Sequence, residues 1–207
     1  LFSRDSIALS TAIGLSHNVF DSAICMGTCD KIVPGLLIGA LKFGHLPVIF
    51  IPGGPMATGI SNSKKNKTRQ SYAAGEIEKI ELLTIEQQAY HSEGTCTFYG
   101  TANTNQLIAE AMGFQLPGAA FTPTDSPIRN CLNNESLRSL IRMMDAEMGL
   151  GEMLDVKNWV NAIIVLLASG GSTNLVIHLI AMARSAGYII TIEDFNNDAA
   201  DVLRDTI

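Results

Sequence analysis

Apolar positions recur at helical spacing through residues 3–16 (Ile7, Ala8, Ala12 and Leu15, with Thr11 between them), which predicts an amphipathic helix. The next stretch, "HNVFDSAICMG", turns into a short β-type run that ends in a turn at Cys29. Pro34 then sits where a helix can begin, and 35–43 continues as one. "LPVIFIPGG" (46–54) is a short, unbroken apolar run closed by Pro and Gly, the mark of a strand buried on both faces. The polar, basic stretch "NSKKNKTRQ" (62–70) leads into helical patterns at 64–73 and 82–91. It reads as a solvated helix face, with a phosphate-attracting patch as the alternative.

Downstream, "GTCTFYGTANTNQLIAEAMGF" (94–114) is a Gly/Thr turn feeding a helix from about residue 101. "LPGAAFTPTDSP" is a turn-rich connection, and "NNESLRSLIRMMDAEMG" predicts a helix opened by an Asn cap, with Glu135 near its start. The apolar stretch after Asp155 divides at Gly170–Gly171 into two helices, the second capped by Ser172 or Thr173 and ended by Gly187. A β-type "YIITI" and an Asp-opened helix from 194 follow. Strands alternating with helices predict an α/β fold, a mainly parallel sheet flanked by helices, in which ligands sit where strands turn into helices.

At 207 residues and 47% hydrophobic, the chain can form one large domain or a piece of one. No apolar run reaches the roughly 18 to 20 residues needed to cross a bilayer, and the first residues lack a basic segment followed by an apolar one. A soluble, cytoplasmic protein with no membrane partner is expected. The opening residues already read as the interior of a helix, so a longer parent chain is expected too. Fourteen basic against twenty acidic side chains, a net charge of -6 and no basic stripe argue against a nucleic-acid partner. An anionic ligand would need a metal, a few aimed cations or helix N-termini. Cys25, Cys29, Cys96 and Cys131 are too sparse for a disulfide scaffold, which points to a reducing compartment.

Two of these cysteines share the triplet Gly-Thr-Cys. Cys29 and Cys96 each stand ahead of a helix start, where free N–H groups favour a thiolate and so metal ligation. Cys25 and Cys131 read as small buried hydrophobes. Asp30 and Lys31 adjoin Cys29; they form either a local ion pair, worth little if exposed, or the beginning of an oxygen site for a hard cation such as Mg²⁺. Cys29 and Cys96 with Cys25 also fit a structural zinc or thiol site in a non-catalytic module.

"GLSHNVFDSAICMGTCDKIVPG", "GTCTFYGTANTNQ" and "ASGGSTNLVIHLIAMARSAG" together resemble the family of dehydratases that act on dihydroxy acids, sugar acids and phosphogluconate, and the resemblance covers essentially the whole chain. "SHNVFD" and "TCTFYGTANTNQ" are more similar to its phosphogluconate branch than to its branched-chain dihydroxy-acid branch. The resemblance implies that residues 1–207 are a fragment of the N-terminal iron–sulfur domain of a two-domain enzyme, with an upstream segment and a C-terminal domain elsewhere. It implies an iron–sulfur cluster, 4Fe–4S or 2Fe–2S, held by Cys29, Cys96 and a third cysteine upstream of Leu1. It further implies that Asp30 binds Mg²⁺ and that Lys31 is carbamylated to become a metal ligand. The implied reaction is dehydration of 6-phospho-D-gluconate to 2-dehydro-3-deoxy-6-phosphogluconate, the committed step of the Entner–Doudoroff route, by a homodimer. The resemblance further implies that the base is a serine beyond Ile207 and that the fragment alone would be inactive, so His17, His45 and His91 read as structural or supporting residues. His178 is kept as a candidate substrate contact. Ser172, Thr173 and Asn174 either bind a carboxylate or phosphate, or simply cap their helix. The branched-chain dihydroxy-acid reaction remains the alternative activity.

Overall fold

In the computed structural model, residues 1–57, 59–89 and 92–196 are described. Among these described residues eight helices surround a small parallel sheet, in the order α1 (Phe2–Leu15), β1 (Ala23–Gly27), α2 (Ile32–Ala40), β2 (Val48–Pro52), α3 (Asn62–Ala73), α4 (Lys79–Ala89), α5 (Thr101–Ala111), α6 (Pro127–Asp145), α7 (Val156–Ala168) and α8 (Asn174–Ser185). The mixed α/β class matches the alternation of patterns, although the sheet has only two strands among the described residues. β1 and β2 pair in parallel from Ala23–Val48 to Gly27–Pro52, with α2 as the crossover between them. Among the described residues no helix is long and apolar enough to cross a membrane.

The apolar run of β2 is buried at every position, as an unbroken hydrophobic strand should be. β1 pairs along one edge of it, α6 packs against it, and Phe50 at its centre donates its N–H to the Phe114 carbonyl. The core continues through Leu37, Ile108, Trp159, Leu166 and Leu179, where α2, α5, α7 and α8 meet. α1 lies close along α2 because α2 offers glycines at Gly35 and Gly39. A Cβ on Gly39 would stand 2.6 Å from the Ala8 carbonyl oxygen, and one on Gly35 would stand 2.8 Å from that of Arg4.

Between β2 and α5 the chain makes an excursion in which α3 and α4 pack mainly against each other, tied by Arg69 to Glu86 at 2.9 Å. Its two ends meet in a bridge between Pro55 and Thr95, where Thr95 donates to Gly54 and Met56 donates to Thr95. The solvated-face reading of 62–70 holds: α3 is largely exposed, Lys65 excepted.

Three local expectations are corrected. α6 starts at Pro127 behind the cap Ser126, not at Asn133 or Asn134, because a Ser-Pro pair is the stronger start signal. Cys131 is exposed: the buried face of α6 runs through Arg129, Ser136 and Leu140, and Cys131 points away from it. "YIITI" is not a strand. Its Tyr188 ring packs on Trp159 at 5.9 Å and donates its hydroxyl to Leu154, while Ile189 and Ile192 stay exposed. At the helix expected from 194, the described residues form a 3₁₀ turn, Glu193–Phe195; the rest of that expectation lies outside the described residues, as does His91. The division at Gly170 and the stop at Gly187 are as expected, both glycines having positive φ.

Candidate functional site

Two turns build the site. The first, Gly27 to Lys31, leaves the C-terminal end of β1 and enters α2; the second, Thr95 to Gly100, enters α5. They converge on a pocket of about 320 Å³ lined by Cys29, Asp30, Cys96, Phe98, Thr101 and Ser172, together with the rest of the first turn of α5. Both Gly-Thr-Cys thiols therefore face one space, although they are 67 positions apart (96 − 29). A larger depression of about 550 Å³, beside His45 and Asp21, carries no thiol.

A run of polar side chains on α5 holds the two turns together. Asn103, Thr104, Asn105 and Gln106 are all buried, an unusual sequence of four at consecutive helical positions. Asn105 donates to the carbonyls of Asp30 and Thr101, both at 3.0 Å. Gln106 accepts from the N–H of Gly54 at 3.0 Å and donates to the Thr28 carbonyl at 3.4 Å. Asn103 accepts from Gly100 N–H and donates to Thr95 Oγ1 and the Cys96 carbonyl. Thr104 donates to Gly100 and accepts from Ser172 N–H. Each of these atoms would be costly to bury unpaired, so the network fixes where both cysteine turns lie. The motif "GTCTFYGTANTNQ" contains all four, but none of them was named as a site residue. The signal available was the polar run "NTNQ" on a helix that otherwise feeds apolar residues into the core.

Charge at the mouth of the pocket is local. Burial works to raise the Asp30 pKa, but Lys31 Nζ at 2.8 Å more than offsets it, and the carboxyl sits below its ordinary value. Lys31 does not line the pocket and is engaged with Asp30. The Cys29 thiol is pushed up, first by loss of solvation, then by the Asp30 carboxylate at 3.5 Å and by Cys96, against a lowering contribution from the Asp30 N–H. This reverses the expectation that a helix start alone would favour its thiolate. Cys25 is buried on β1, outside the pocket lining, and pushed up to about 12 by that burial, which fits the core reading.

Of the α8 candidates, Ser172 lines the pocket, and its hydroxyl lies 2.6 Å from that of Thr101. Asn174 donates to the same Thr101 hydroxyl at 3.4 Å, whereas Thr173 is the N-cap and makes no side-chain capping bond. His178 is not brought to the pocket. It falls on the buried face of α8 with Leu175, Leu179 and Met182, its Nδ1 3.4 Å from Arg4 Nη1, and its Nε2 is buried without a partner. Burial first, then Lys31 and Arg4, bring its pKa down to about 4. His17 and His45 are exposed.

Among the described residues no three His, Cys, Asp or Glu side chains stand close enough to hold a metal by themselves. Cys29 and Cys96 fit an iron–sulfur cluster as two donors of a larger thiolate set. They open on a shared pocket, and its wall is the first turn of α5, whose N–H groups have no intrahelical partners and favour anionic sulfur.

Residues 1–203 match the model of the dihydroxy-acid/6-phosphogluconate dehydratase N-terminal family. The chain is 53% identical over 206 residues to a phosphogluconate dehydratase of Escherichia coli K12, an alignment covering 98% of this chain and 34% of that protein. It is 54% identical over 196 residues to one of Helicobacter pylori 26695, covering 95% of this chain and 32% of the other. A dihydroxy-acid dehydratase of Hydrogenobaculum sp. Y04AAS1 is 36% identical over 200 residues, covering 94% and 36%. The chain thus spans about a third of the length of the curated relatives it matches, and it belongs to this dehydratase family.

Proposed function

We propose that the chain is part of the N-terminal iron–sulfur domain of a phosphogluconate dehydratase, a hydro-lyase that removes water from 6-phospho-D-gluconate to give 2-dehydro-3-deoxy-6-phosphogluconate. The observation that carries this reading is the meeting of Cys29 and Cys96 at one pocket, in a chain about 53% identical to proteins of that name and only 36% identical to a dihydroxy-acid dehydratase.

Cys29 and Cys96 would hold the cluster, with a third thiolate from elsewhere in the longer protein. When bound, the cluster supplies a Lewis-acidic iron for the departing C3 hydroxyl. The chain's own residues arrange the rest. Asp30, which lines the pocket, and Lys31 if carbamylated would hold a Mg²⁺ for the substrate carboxylate and C2 hydroxyl. Binding a cation there requires the 2.8 Å Asp30–Lys31 ion pair to part, and loss of the Lys31 positive charge does that. The paired hydroxyls of Thr101 and Ser172 and the N-terminal N–H groups of α5 offer hydrogen bonds to an anionic sugar acid. A base from outside these residues takes the C2 proton, the C3 hydroxide departs with a proton as water, and the resulting enol becomes the 2-ketone by moving its hydroxyl proton to C3. In this reading the enzyme is a cytoplasmic homodimer of the Entner–Doudoroff route.

The test is an anaerobic assay of the reconstituted full-length protein on 6-phosphogluconate and, separately, on 2,3-dihydroxyisovalerate. Turnover of the first with weak turnover of the second is expected. Preference for the dihydroxy acid would replace the reading with the branched-chain activity. A colourless full-length protein that holds zinc and turns over neither would replace it with a structural thiol site.

A further inference from the structure

β1 has an unoccupied hydrogen-bonding edge. Ala23 donates to Pro47 and Gly27 accepts from Gly53, so Ala23, Cys25 and Gly27 turn their peptide groups toward β2. Ile24 and Met26, in alternate positions, turn theirs the other way, and no described residue pairs with them. The side chains at this edge are apolar and open, Ile24 at 41% and Met26 at 69% of full exposure. On the same sheet face their register partners Ile49 and Ile51 are buried. β2 differs at its far side, where Phe50 is bonded to Phe114. The sheet is therefore closed at β2 and open at β1.

An open, apolar edge is a liability in a finished parallel sheet, whose strands are buried on both faces. We infer that the β1 edge is completed by a parallel strand that precedes α1 in the longer protein. Three observations choose this occupant over a segment beyond residue 207 or a second copy. First, α1 enters β1 directly, as the crossover helix of a strand–helix–strand unit does, and parallel neighbours require such a crossover. Second, crossovers are right-handed, so two that step the same way across a sheet leave their helices side by side on one face; α1 lies along α2 at the close approach of Gly35 and Gly39. Third, the helix layer is unfinished on the same side. Phe2, Leu9 and Ile13 form a stripe on the face of α1 turned away from α2, and all are exposed. The relatives are about three times as long as this chain, so their sequence has room for such a strand. A second copy meeting this edge across a two-fold axis would pair antiparallel, leaving α1 with no strand to cross from.

The inference does not depend on the reaction catalysed, and its test reads no activity. In the full-length protein, single-residue hydrogen exchange should find the Ile24 and Met26 amides protected along with Cys25 and Gly27, on the order of a hundredfold or more slower than unpaired amides. Free exchange at Ile24 and Met26 beside protected Cys25 and Gly27 would show the edge unpaired and overturn the inference. Photo-methionine at position 26 then identifies the occupant. The inference expects a cross-link within one chain to a peptide upstream of Leu1. A cross-link to a peptide beyond residue 207, or between differently isotope-labelled copies, would overturn it.

Discussion

Asn105 donates one hydrogen bond to the carbonyl of Asp30 and another to that of Thr101, so a single buried amide ties the turn carrying Cys29 to the helix that follows Cys96. Removing that amide should loosen both. We predict that Asn105→Ala in the full-length protein costs about 1–3 kcal/mol of stability, from two carbonyls losing a buried donor. It should also lower the iron retained after reconstitution. Unchanged unfolding and unchanged iron content would show that the turns hold their places without it.

The cysteines separate into two pairs. Cys29→Ser and Cys96→Ser should each abolish the visible absorbance of the reconstituted full-length protein, since each removes a ligand from the shared pocket. Cys131→Ser, at an exposed position on α6, should leave the spectrum intact. A spectrum that survived loss of Cys96 would remove that residue from the ligand set.

Buried His178 makes the fold acid-sensitive. Its folded pKa, about 4, lies below the ordinary 6.5, so below pH 6.5 the unfolded chain takes up a proton that the folded one refuses. Stability is therefore kept above about pH 6.5 and falls as pH drops toward 4, by up to about 1.4 kcal/mol per pH unit from this residue. Denaturant unfolding between pH 7.5 and 5 should show the loss, and His178→Gln should flatten it. An equally steep profile in the variant would assign the acid sensitivity elsewhere.

Two glycine substitutions should act with opposite signs. Gly39→Ala drives a methyl group against the Ala8 carbonyl and the Thr11 side chain, forcing α1 away from α2 at a cost of about 1–3 kcal/mol. Gly14→Ala, near the end of α1, meets nothing within 4 Å and should gain about 0.5–1 kcal/mol from helix propensity. Thermal unfolding of the two variants beside the parent measures both. A Gly39→Ala protein as stable as the parent would mean that the helices are free to separate.

Periodicity and turn chemistry made most of the fold legible: the buried strand at 46–54, the helix after Pro34, the break at Gly170 and the stop at Gly187 all lie in local sequence. What failed were judgements that needed a neighbour. "YIITI" has the composition of a strand, but Tyr188 is claimed by Trp159 and Leu154, and no edge is offered to the rest. Cys131 was misjudged because the helical face it falls on depends on where its helix begins and what packs against it. In the site, the Gly-Thr-Cys pair was visible and the buried "NTNQ" network was not. A polar helical run looks solvent-facing until two distant turns are found bonded to it.

The bridge between Pro55 and Thr95 has a consequence for how such a protein can vary. It closes the α3–α4 excursion at its root, one residue before Cys96, so the position of that cysteine is set by Gly54 and Asn103 rather than by the path between. Insertions or deletions in the excursion would be absorbed as a change in loop length, whose entropic cost grows only slowly. The arm can diverge in size and surface while the residue at its base stays where it is.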